Sequence, residues 1–212
     1  MVKYLVGGAG HPQRYLEVMK LDYLPTAITE GHMIPEPDTL EVWRTLHKNI
    51  NYTHLFEIGL NAGHSAAMNL TLFPDIKVTS LDIGHHPYTR IAANSLKEKF
   101  GDRFEYIECD SLAYASRVYD GRYNAPEGVD SVFIDGRHDW IGILSDIGLA
   151  KFFNIQDVII DNTDRSWKSI NHVLEQMKRL QILELVENYK YTGIMQSDTV
   201  KCPEQLSHYR FL

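Results

Sequence analysis

Cysteine is scarce in this sequence: 212 residues contain two, Cys109 and Cys202. Two widely separated cysteines provide neither a disulfide framework nor a C-x-x-C metal pair. Cys109 follows an apolar run and is predicted to be a core thiol. The sequence therefore predicts a protein of a reducing compartment, with the cytoplasm as the default.

Excess positive charge and long hydrophobic runs are also lacking. The chain has 21 Lys and Arg against 28 Asp and Glu, a formal net charge of -7. This balance argues against nucleic-acid binding through a broad basic surface. The apolar run at residues 4–6 is too short for a signal peptide, and no stretch is long enough to span a bilayer. We therefore expect neither nucleic acid nor a membrane as partner.

Two glycine motifs of nucleotide-binding proteins are absent from the segment EIGLNAGHS, residues 57–65. Asn61 stands where G-x-G-x-x-G needs its second glycine, which disfavours a nicotinamide-dependent oxidoreductase. No Gly-Lys-Ser/Thr follows, so the segment is not a P-loop. What remains is E-x-G-x-x-x-G. Gly59 lets the chain turn sharply after a strand, and Gly63 removes a side chain where a ligand approaches the backbone. A tight turn without a ligand is the alternative.

Short β-rich runs alternate with helical patterns from about residue 52 onward. The strand runs lack clean alternation, as expected when helices cover both faces of a parallel sheet. The pattern predicts an α/β fold with a doubly wound sheet. The predicted strands are residues 53–58, 77–82, 104–109, 129–134, 158–161 and 182–189, and the predicted helices are residues 65–73, 89–100, 112–118, 140–153 and 165–180.

The first fifty residues differ from the rest, because prolines interrupt a stretch of little periodicity at residues 24–38. Asp38 and Glu41 then form a predicted capping box for a helix. We interpret residues 1–50 as an N-terminal cap segment packed on residues 51–212, within a single domain overall. This arm is also a candidate contact to a second copy of the chain. Candidate acceptor-pocket residues are Tyr15, Tyr23, His32 and Met33.

The C-terminal end contains a predicted hairpin. Residues 182–189 and 193–196 are predicted to pair, with the turn near residues 188–192. Upstream of it, Trp167 is predicted either to form the wall of a substrate pocket or to pack in the core.

Polar residues follow the predicted strands at their carboxyl ends, where sheets of this type bind ligands. Asp82 can accept two hydrogen bonds from a ribose diol, or it caps a turn at the surface. Asp110 and Ser111 are placed to meet an adenine amino group. Asp110 as the N-cap of the following helix is an equally good interpretation.

The motif from Glu57 to Gly63 resembles motif I of class I S-adenosylmethionine-dependent methyltransferases. Residues 133–140, FIDGRHDW, look like the F-I-D-G-x-H segment of a small-molecule O-methyltransferase branch of that family. The resemblance implies a Rossmann-like sheet of seven strands, mostly parallel, with an antiparallel C-terminal hairpin. It also implies S-adenosylmethionine as the cofactor. The predicted cofactor-binding residues are Glu57, Gly59, Asn61, Gly63, Ser65, Asp82, Ile83, Asp110, Ser111 and Asp135.

The chain also resembles the metal-dependent O-methyltransferases of the catechol type, which place Asp after strand four and Asp-Asn after strand five. Asp135, Asp161 and Asn162 match these positions. Two carboxylates and an amide carbonyl make an oxygen-only ligand set, which suits Mg²⁺ or Ca²⁺ better than zinc. Nearby carboxylates repel each other unless a cation neutralises them. The alternative is that Asp135 and Asp161 cap the helices that follow.

His138 is the candidate general base, and Asp135 is the second catalytic residue. The acceptor must lose a proton, and histidine suits proton transfer near neutral pH. Catechol-type enzymes carry a lysine at this position, so His138 favours the histidine-bearing branch, which includes enzymes acting on sugar hydroxyls. A hydrogen bond at the start of the next helix is the alternative role.

The predicted function is methyl transfer to a hydroxyl of a small molecule, assisted by Mg²⁺. The alternative is a non-catalytic or metal-independent S-adenosylmethionine-binding protein of the same fold.

Overall fold

The computed structural model describes residues 21–25, 28, 32–164, 167–194 and 201–212. Within these residues the strands are β1 (His32–Met33), β2 (His54–Ile58), β3 (Lys77–Asp82), β4 (Phe104–Glu108), β5 (Ser131–Ile134), β6 (Asp157–Ile160), β7 (Leu183–Ile194) and β8 (Lys201–Phe211). The helices are α1 (Pro37–Ile50), α2 (His64–Leu72), α3 (Pro87–Phe100), α4 (Ser111–Tyr119), α5 (Trp140–Phe152) and α6 (Lys168–Arg179).

All eight strands form one sheet in the order β1-β7-β8-β6-β5-β2-β3-β4. The neighbouring strands β6, β5, β2, β3 and β4 are parallel to one another. Strand β8 runs antiparallel to its neighbours β6 and β7. The predicted fold class, a mostly parallel Rossmann-like methyltransferase sheet with an antiparallel C-terminal hairpin, is confirmed. The chain reverses its direction of travel across the sheet between β2 and β5, which is where sheets of this type bind ligands.

Each face of the sheet has its own hydrophobic core. β2 and β5 are buried at every position because helices cover both faces, which explains the apolar runs at residues 55–56 and 132–134. One core includes residues of α1, α2 and α3, among them Trp43, Leu46, Met68 and Leu96. The other includes residues of α4, α5 and α6, among them Tyr114, Ile143, Ile147 and Leu174.

Helix α1 packs on the sheet, with the Trp43 ring edge-to-face against Phe133 of β5 at a centroid distance of 5.1 Å. The predicted capping box is wrong. The N-cap is Glu36, which makes no side-chain cap hydrogen bond, and Pro37 begins the helix. Asp38 lies in the first turn instead, and its Oδ2 accepts a hydrogen bond of 2.7 Å from the hydroxyl of Thr192 on β7. Proline at this position is pre-set for a helix and lacks the N–H that a cap would satisfy.

The C-terminal hairpin is longer than predicted, and its turn is elsewhere. Asn188, predicted near the turn, lies inside β7 and pairs with Ser207. The connection falls at residues 195–200, outside the described residues, and β8 was not predicted as a strand. A bulge between Leu185 and Glu187 shifts the register of β7. Such a shift moves side chains to the opposite face, which hides a strand from pattern analysis.

None of the helices in the described part of the chain combines the length and the apolarity needed to cross a membrane.

Candidate functional site

The turn between β2 and α2 contains two glycines in left-handed conformations. Gly59 has φ +100°, and a Cβ there would lie 2.1 Å from the carbonyl oxygen of Asp135, the residue directly after the neighbouring strand β5. Gly63 has φ +81°, and a Cβ there would lie 2.9 Å from the side chain of Leu96 on α3. Gly59 is thus required by the close approach of two strand ends. Gly63 serves packing against α3, which corrects the prediction that its missing side chain faces a ligand.

Glu57 lies fully buried beneath this turn. Its carboxyl group accepts a short hydrogen bond from the hydroxyl of Ser65 and one of 2.5 Å from the hydroxyl of Ser80. Burial raises the pKa of Glu57 to about 8, and the charges of Asp135 and Asp82 contribute. Two predicted cofactor residues, Glu57 and Ser65, therefore contact each other, and their bond ties the start of α2 to the sheet.

Asp82 holds the same turn from the end of β3. Its Oδ2 accepts hydrogen bonds from the backbone N–H groups of Leu60 at 2.9 Å and Asn61 at 3.0 Å, and its Oδ1 accepts one from Gly84 at 2.8 Å. A carboxylate offers about four acceptor sites, so Asp82 retains capacity for a ligand. Beside it, Ile83 is 58% exposed, an apolar side chain on the carboxyl edge of the sheet.

Asp110 and Ser111 lie at the end of β4, where α4 begins. Asp110 is the N-cap and accepts a hydrogen bond of 3.0 Å from the N–H of Ala113, which confirms the capping interpretation. The cap does not occupy every acceptor site of the carboxylate. Cys109, predicted to be a core thiol, is half-buried, and the guanidinium of Arg117 lies 3.6 Å from its sulfur.

Asp135 and His138 lie together after β5. His138 Nε2 is 3.5 Å from Asp135 Oδ1, and their side chains are 26% and 30% exposed. Asp139, not Asp135, is the N-cap of α5, so the capping alternative for Asp135 is wrong. Trp167 packs edge-on against the His138 ring at a centroid distance of 4.2 Å and is 40% exposed. Trp167 is therefore a partly exposed residue beside His138 and not a core residue.

Asp161 and Asn162 follow β6 and face the C-terminal hairpin. The hydroxyl of Tyr191 lies 2.9 and 2.8 Å from the two carboxylate oxygens of Asp161. Burial raises the pKa of Asp161 well above its usual range, and the charge of Asp135 adds to the effect. Asn162 has φ +53°, and its Nδ2 donates a hydrogen bond of 3.2 Å to Glu204. The capping alternative for Asp161 is also wrong, because the N-cap of α6 is Trp167.

Tyr191 and Glu204 were missed by the sequence analysis. Tyr191 lies within residues 188–192, predicted as a turn, and Glu204 lies on the unpredicted strand β8. The alternation Tyr189-x-Tyr191, with both rings buried, is the signal in the sequence that favours a strand there.

The predicted metal ligands are chemically suitable, because all of them are oxygen donors of the kind that Mg²⁺ or Ca²⁺ prefers. The charge of Asp135 also acts on Asp161, whose pKa it raises. Asp161 and Asn162, however, contact the hairpin side chains. Across the residues that the structure describes, no three His, Cys, Asp or Glu side chains form a group that could hold an ion. The structure thus contains a suitable donor set without showing an assembled site.

Solved structures share this fold. The O-methyltransferase from Bacillus cereus, solved in complex with SAH, is 16% identical with a TM-score of 0.64, covering 97% of this chain and 93% of that chain. TomG from Streptomyces achromogenes, an O-methyltransferase involved in tomaymycin synthesis and solved with SAM, is 15% identical with a TM-score of 0.61, covering 98% and 92%.

The fold extends beyond methyltransferases. The branched-chain polyamine synthase from Thermus thermophilus, solved with N4-aminopropylspermidine and 5'-methylthioadenosine, is 13% identical with a TM-score of 0.62, covering 95% of this chain and 63% of that chain. No protein-family model matches the sequence, and no curated protein does. At these identities the likeness establishes a Rossmann-like methyltransferase fold and no more.

Proposed function

We propose that this chain is an S-adenosylmethionine-dependent methyltransferase acting on a hydroxyl of a small molecule. The observation that carries the proposal is the position of Asp82. Its carboxylate lies beside the switch point of the sheet, binds the turn after β2, and retains acceptor sites for a ribose diol. The neighbours crystallised with SAM or SAH support it, because they match this fold over 97% and 98% of the chain.

The other strand ends supply the rest of the proposed cofactor site. Ile83 would cover one face of the adenine ring with its exposed apolar side chain. Asp110 and Ser111 would meet the adenine edge at the N-terminus of α4. Gly59 lets the backbones of β2 and β5 approach each other, which closes the floor of the site.

Methyl transfer requires an electrophilic methyl group, which the sulfonium of the cofactor supplies. The donor held beside Asp82 would supply the methyl group to the acceptor oxygen, and His138 would take the proton of the acceptor hydroxyl. A neutral imidazole has one nitrogen that accepts a proton. Because Nε2 faces Asp135, we assign this role to Nδ1, and the Asp135 carboxylate stabilises the resulting imidazolium. Holding the acceptor in line contributes ~7–11 kcal/mol in well-oriented reactions.

The second part of the proposal is that Mg²⁺ assists the reaction. Asp135, Asp161 and Asn162 would hold the ion, which would lower the pKa of the acceptor hydroxyl. The proximity of the two carboxylates supports this assignment, because a cation would relieve their repulsion.

Calorimetric titration with S-adenosylhomocysteine tests the cofactor assignment. We expect binding by the wild type and at least a tenfold loss in Asp82→Asn, because the amide removes a charged acceptor of the ribose hydroxyls. Asp102→Asn is the matched control, since Asp102 is fully exposed and forms a surface ion pair with Lys97. Absence of heat with both the donor and its demethylated product would contradict the proposal.

One observation favours a metal-independent enzyme of the same kind. Both oxygens of Asp161 contact the Tyr191 hydroxyl, which leaves this buried carboxylate turned toward the hairpin. Thermal unfolding with and without Mg²⁺ separates the two candidates. A metal-dependent enzyme is stabilised by Mg²⁺ and loses this response in Asp161→Ala. A metal-independent one shows no Mg²⁺ response in either form.

A further inference from the structure

Helix α5 is apolar even on the side that faces away from the sheet. Its exposed positions are Trp140, Ile141, Leu144, Lys151 and Phe152. The neighbouring helix α6 has the opposite character, because its exposed positions are all polar: Lys168, His172, Glu175 and Arg179. A helix that is hydrophobic on all sides is typical of a buried position. We therefore expect the outer side of α5 to be covered.

The exposed apolar residues of α5 form one continuous stripe. Trp140, Leu144, Gly148 and Phe152 are spaced four residues apart, which places them on the same side of the helix. Tyr119 of α4 covers the gap at Gly148, where a Cβ would lie 2.8 Å from the Tyr119 hydroxyl oxygen. The Tyr119 ring also packs edge-on against Phe152 at a centroid distance of 5.1 Å. The stripe thus runs from Trp140 to Phe152, with Leu144 near its middle.

A cleft of about 750 Å³ between α5 and α6 widens this stripe. Its apolar lining comes from Trp140 and Leu144 on α5, and from Val173, Met177 and Leu180 on or directly after α6. None of the described residues that line the cleft is a carboxylate, although the chain as a whole has a net charge of -7. The stripe and the exposed end of the cleft together form the α5 face, which consists of Tyr119, Trp140, Ile141, Leu144, Phe152 and Leu180.

The size of the α5 face matches a protein interface. With about 150–250 Å² for a fully exposed aromatic side chain, the exposed fractions of these residues amount to on the order of 600 Å². The largest apolar patch of a typical monomer is about 300–600 Å². A standard interface takes about 800 Å² from each partner, and somewhat more than half of that area is apolar. The α5 face alone can therefore supply the apolar part of such an interface.

The middle of the α5 face is uncharged, as contact with a second copy requires. In a symmetric dimer each residue near the two-fold axis meets its own copy, so a charge there would face a like charge. The side chains around Leu144 carry no charge on this side, and Lys151 and Lys168 lie toward the two ends. The N-terminal residue Leu24 belongs to the core on the other face of the sheet. A second copy of the chain therefore suits this face better than the chain's own N-terminal segment does.

We propose that the α5 face is a symmetric dimer interface with Leu144 near the two-fold axis. The interface is independent of the proposed function, because none of the residues assigned to the cofactor, the metal or proton transfer belongs to the α5 face. Its partner is a second copy of this chain.

Sedimentation equilibrium of the full chain tests the proposal. We expect the wild type to have twice the chain mass of 24.4 kDa, with a dimer Kd below about 1 μM. Leu144→Glu places two carboxylates opposite each other, and Leu144→Lys places two ammonium groups there. Each variant alone should raise the dimer Kd at least about a hundredfold. An equal mixture of the two should restore a dimer, because opposite charges then meet across the axis.

Ile91→Glu is the matched control. Ile91 is 56% exposed on α3, across the sheet from α5, and a charge there should leave the dimer unchanged. Circular dichroism checks that each variant is folded. If Leu144→Glu does not fold, Phe152→Glu replaces it, since Phe152 is 57% exposed at the end of the stripe.

Three results would overturn the proposal. A wild type that stays monomeric at about 100 μM has no such interface. A dimer that persists in both Leu144→Glu and Phe152→Glu uses another surface, such as the N-terminal arm. A mixture of the Glu and Lys variants that remains monomeric would show that Leu144 does not lie at a two-fold axis. If the monomeric wild type binds the dye anilinonaphthalene sulfonate and Leu144→Glu does not, the cleft is a site for a small apolar ligand instead.

Discussion

The two halves of the strand-end edge are built differently. On the β3–β4 side, Asp82 and Asp110 accept hydrogen bonds from backbone N–H groups, which occupy positions set by the turns themselves. On the β6 side, Asp161 and Asn162 contact side chains of the hairpin, Tyr191 and Glu204. The first half is organised before any ligand binds. The second is held by side-chain contacts between β6 and the hairpin.

The largest expected effect comes from disturbing the close approach of Gly59 to Asp135, at the strand ends between the two halves. Gly59→Ala would place a methyl group 2.1 Å from the Asp135 carbonyl oxygen. We expect a loss of more than about 4 kcal/mol in the free energy of unfolding, because two backbones must separate. Urea denaturation measures it. Gly121→Ala is the matched control, since Gly121 also has positive φ but has open space around it, and should cost about 1 kcal/mol. Equal losses in the two variants would show that the close approach of β2 and β5 is unimportant.

The next largest effect is a pH dependence of stability that comes from Glu57, beneath the turn that Asp82 holds. The pKa of Glu57 is about 8 when folded and 4.5 in its ordinary state. Between these values the unfolded chain has lost a proton that the folded chain keeps. The contribution of the protonated Glu57 carboxyl group to the free energy of unfolding is therefore fully present below pH 4.5 and is lost as pH rises through 8.

Glu57→Gln should remove this dependence, which amounts to about 3 kcal/mol between pH 5.5 and 8 at the limiting slope for one proton. Urea titrations of both proteins across this range provide the measurement. Parallel pH profiles for the two would mean that Glu57 is ionised in the folded protein.

A smaller effect is expected in the second half. Tyr191→Phe removes the hydroxyl that contacts buried Asp161 and should cost about 2 kcal/mol in the free energy of unfolding. The affinity for S-adenosylhomocysteine should stay unchanged, because Asp82 and Asp110 are untouched. Tyr123→Phe, at an exposed ring bonded to Arg117, should cost less than about 0.5 kcal/mol. A loss of cofactor affinity in Tyr191→Phe would remove the distinction between the halves.

The smallest effect concerns the cap of α4. Asp110→Ala should lower the free energy of unfolding by about 1 kcal/mol, since it removes the acceptor for the Ala113 N–H. Asp110→Asn retains a capping oxygen and should be nearly neutral in stability. Under the proposed adenine contact, both variants weaken cofactor binding. An effect on stability alone would make Asp110 a cap and nothing else.

The same division explains how much the sequence could predict. The bounds of β3 and the first residue of α5 were predicted correctly, because each follows from a local pattern. Asp82 accepts a hydrogen bond from a backbone N–H of the turn 22 residues before it. The strand–turn–helix pattern in the sequence implies this turn. The partner of Asp161 lies 30 residues away and that of Asn162 lies 42 residues away. These contacts depend on the hairpin register, which a bulge shifts and no local pattern encodes.

Strand β1 extends this reasoning to the N-terminal segment. His32 and Met33 pair with Ile194 and Gly193, at the end of β7 that lies on the same edge as the proposed active site. Because β7 joins the sheet only through β8, these two residues depend on the hairpin for their place. A chimera that transplants the hairpin from a relative should therefore carry residues 32–33 with it. Grafted as one module, the two pieces would keep their mutual pairing, and the parallel strands from β6 to β4 would remain unchanged.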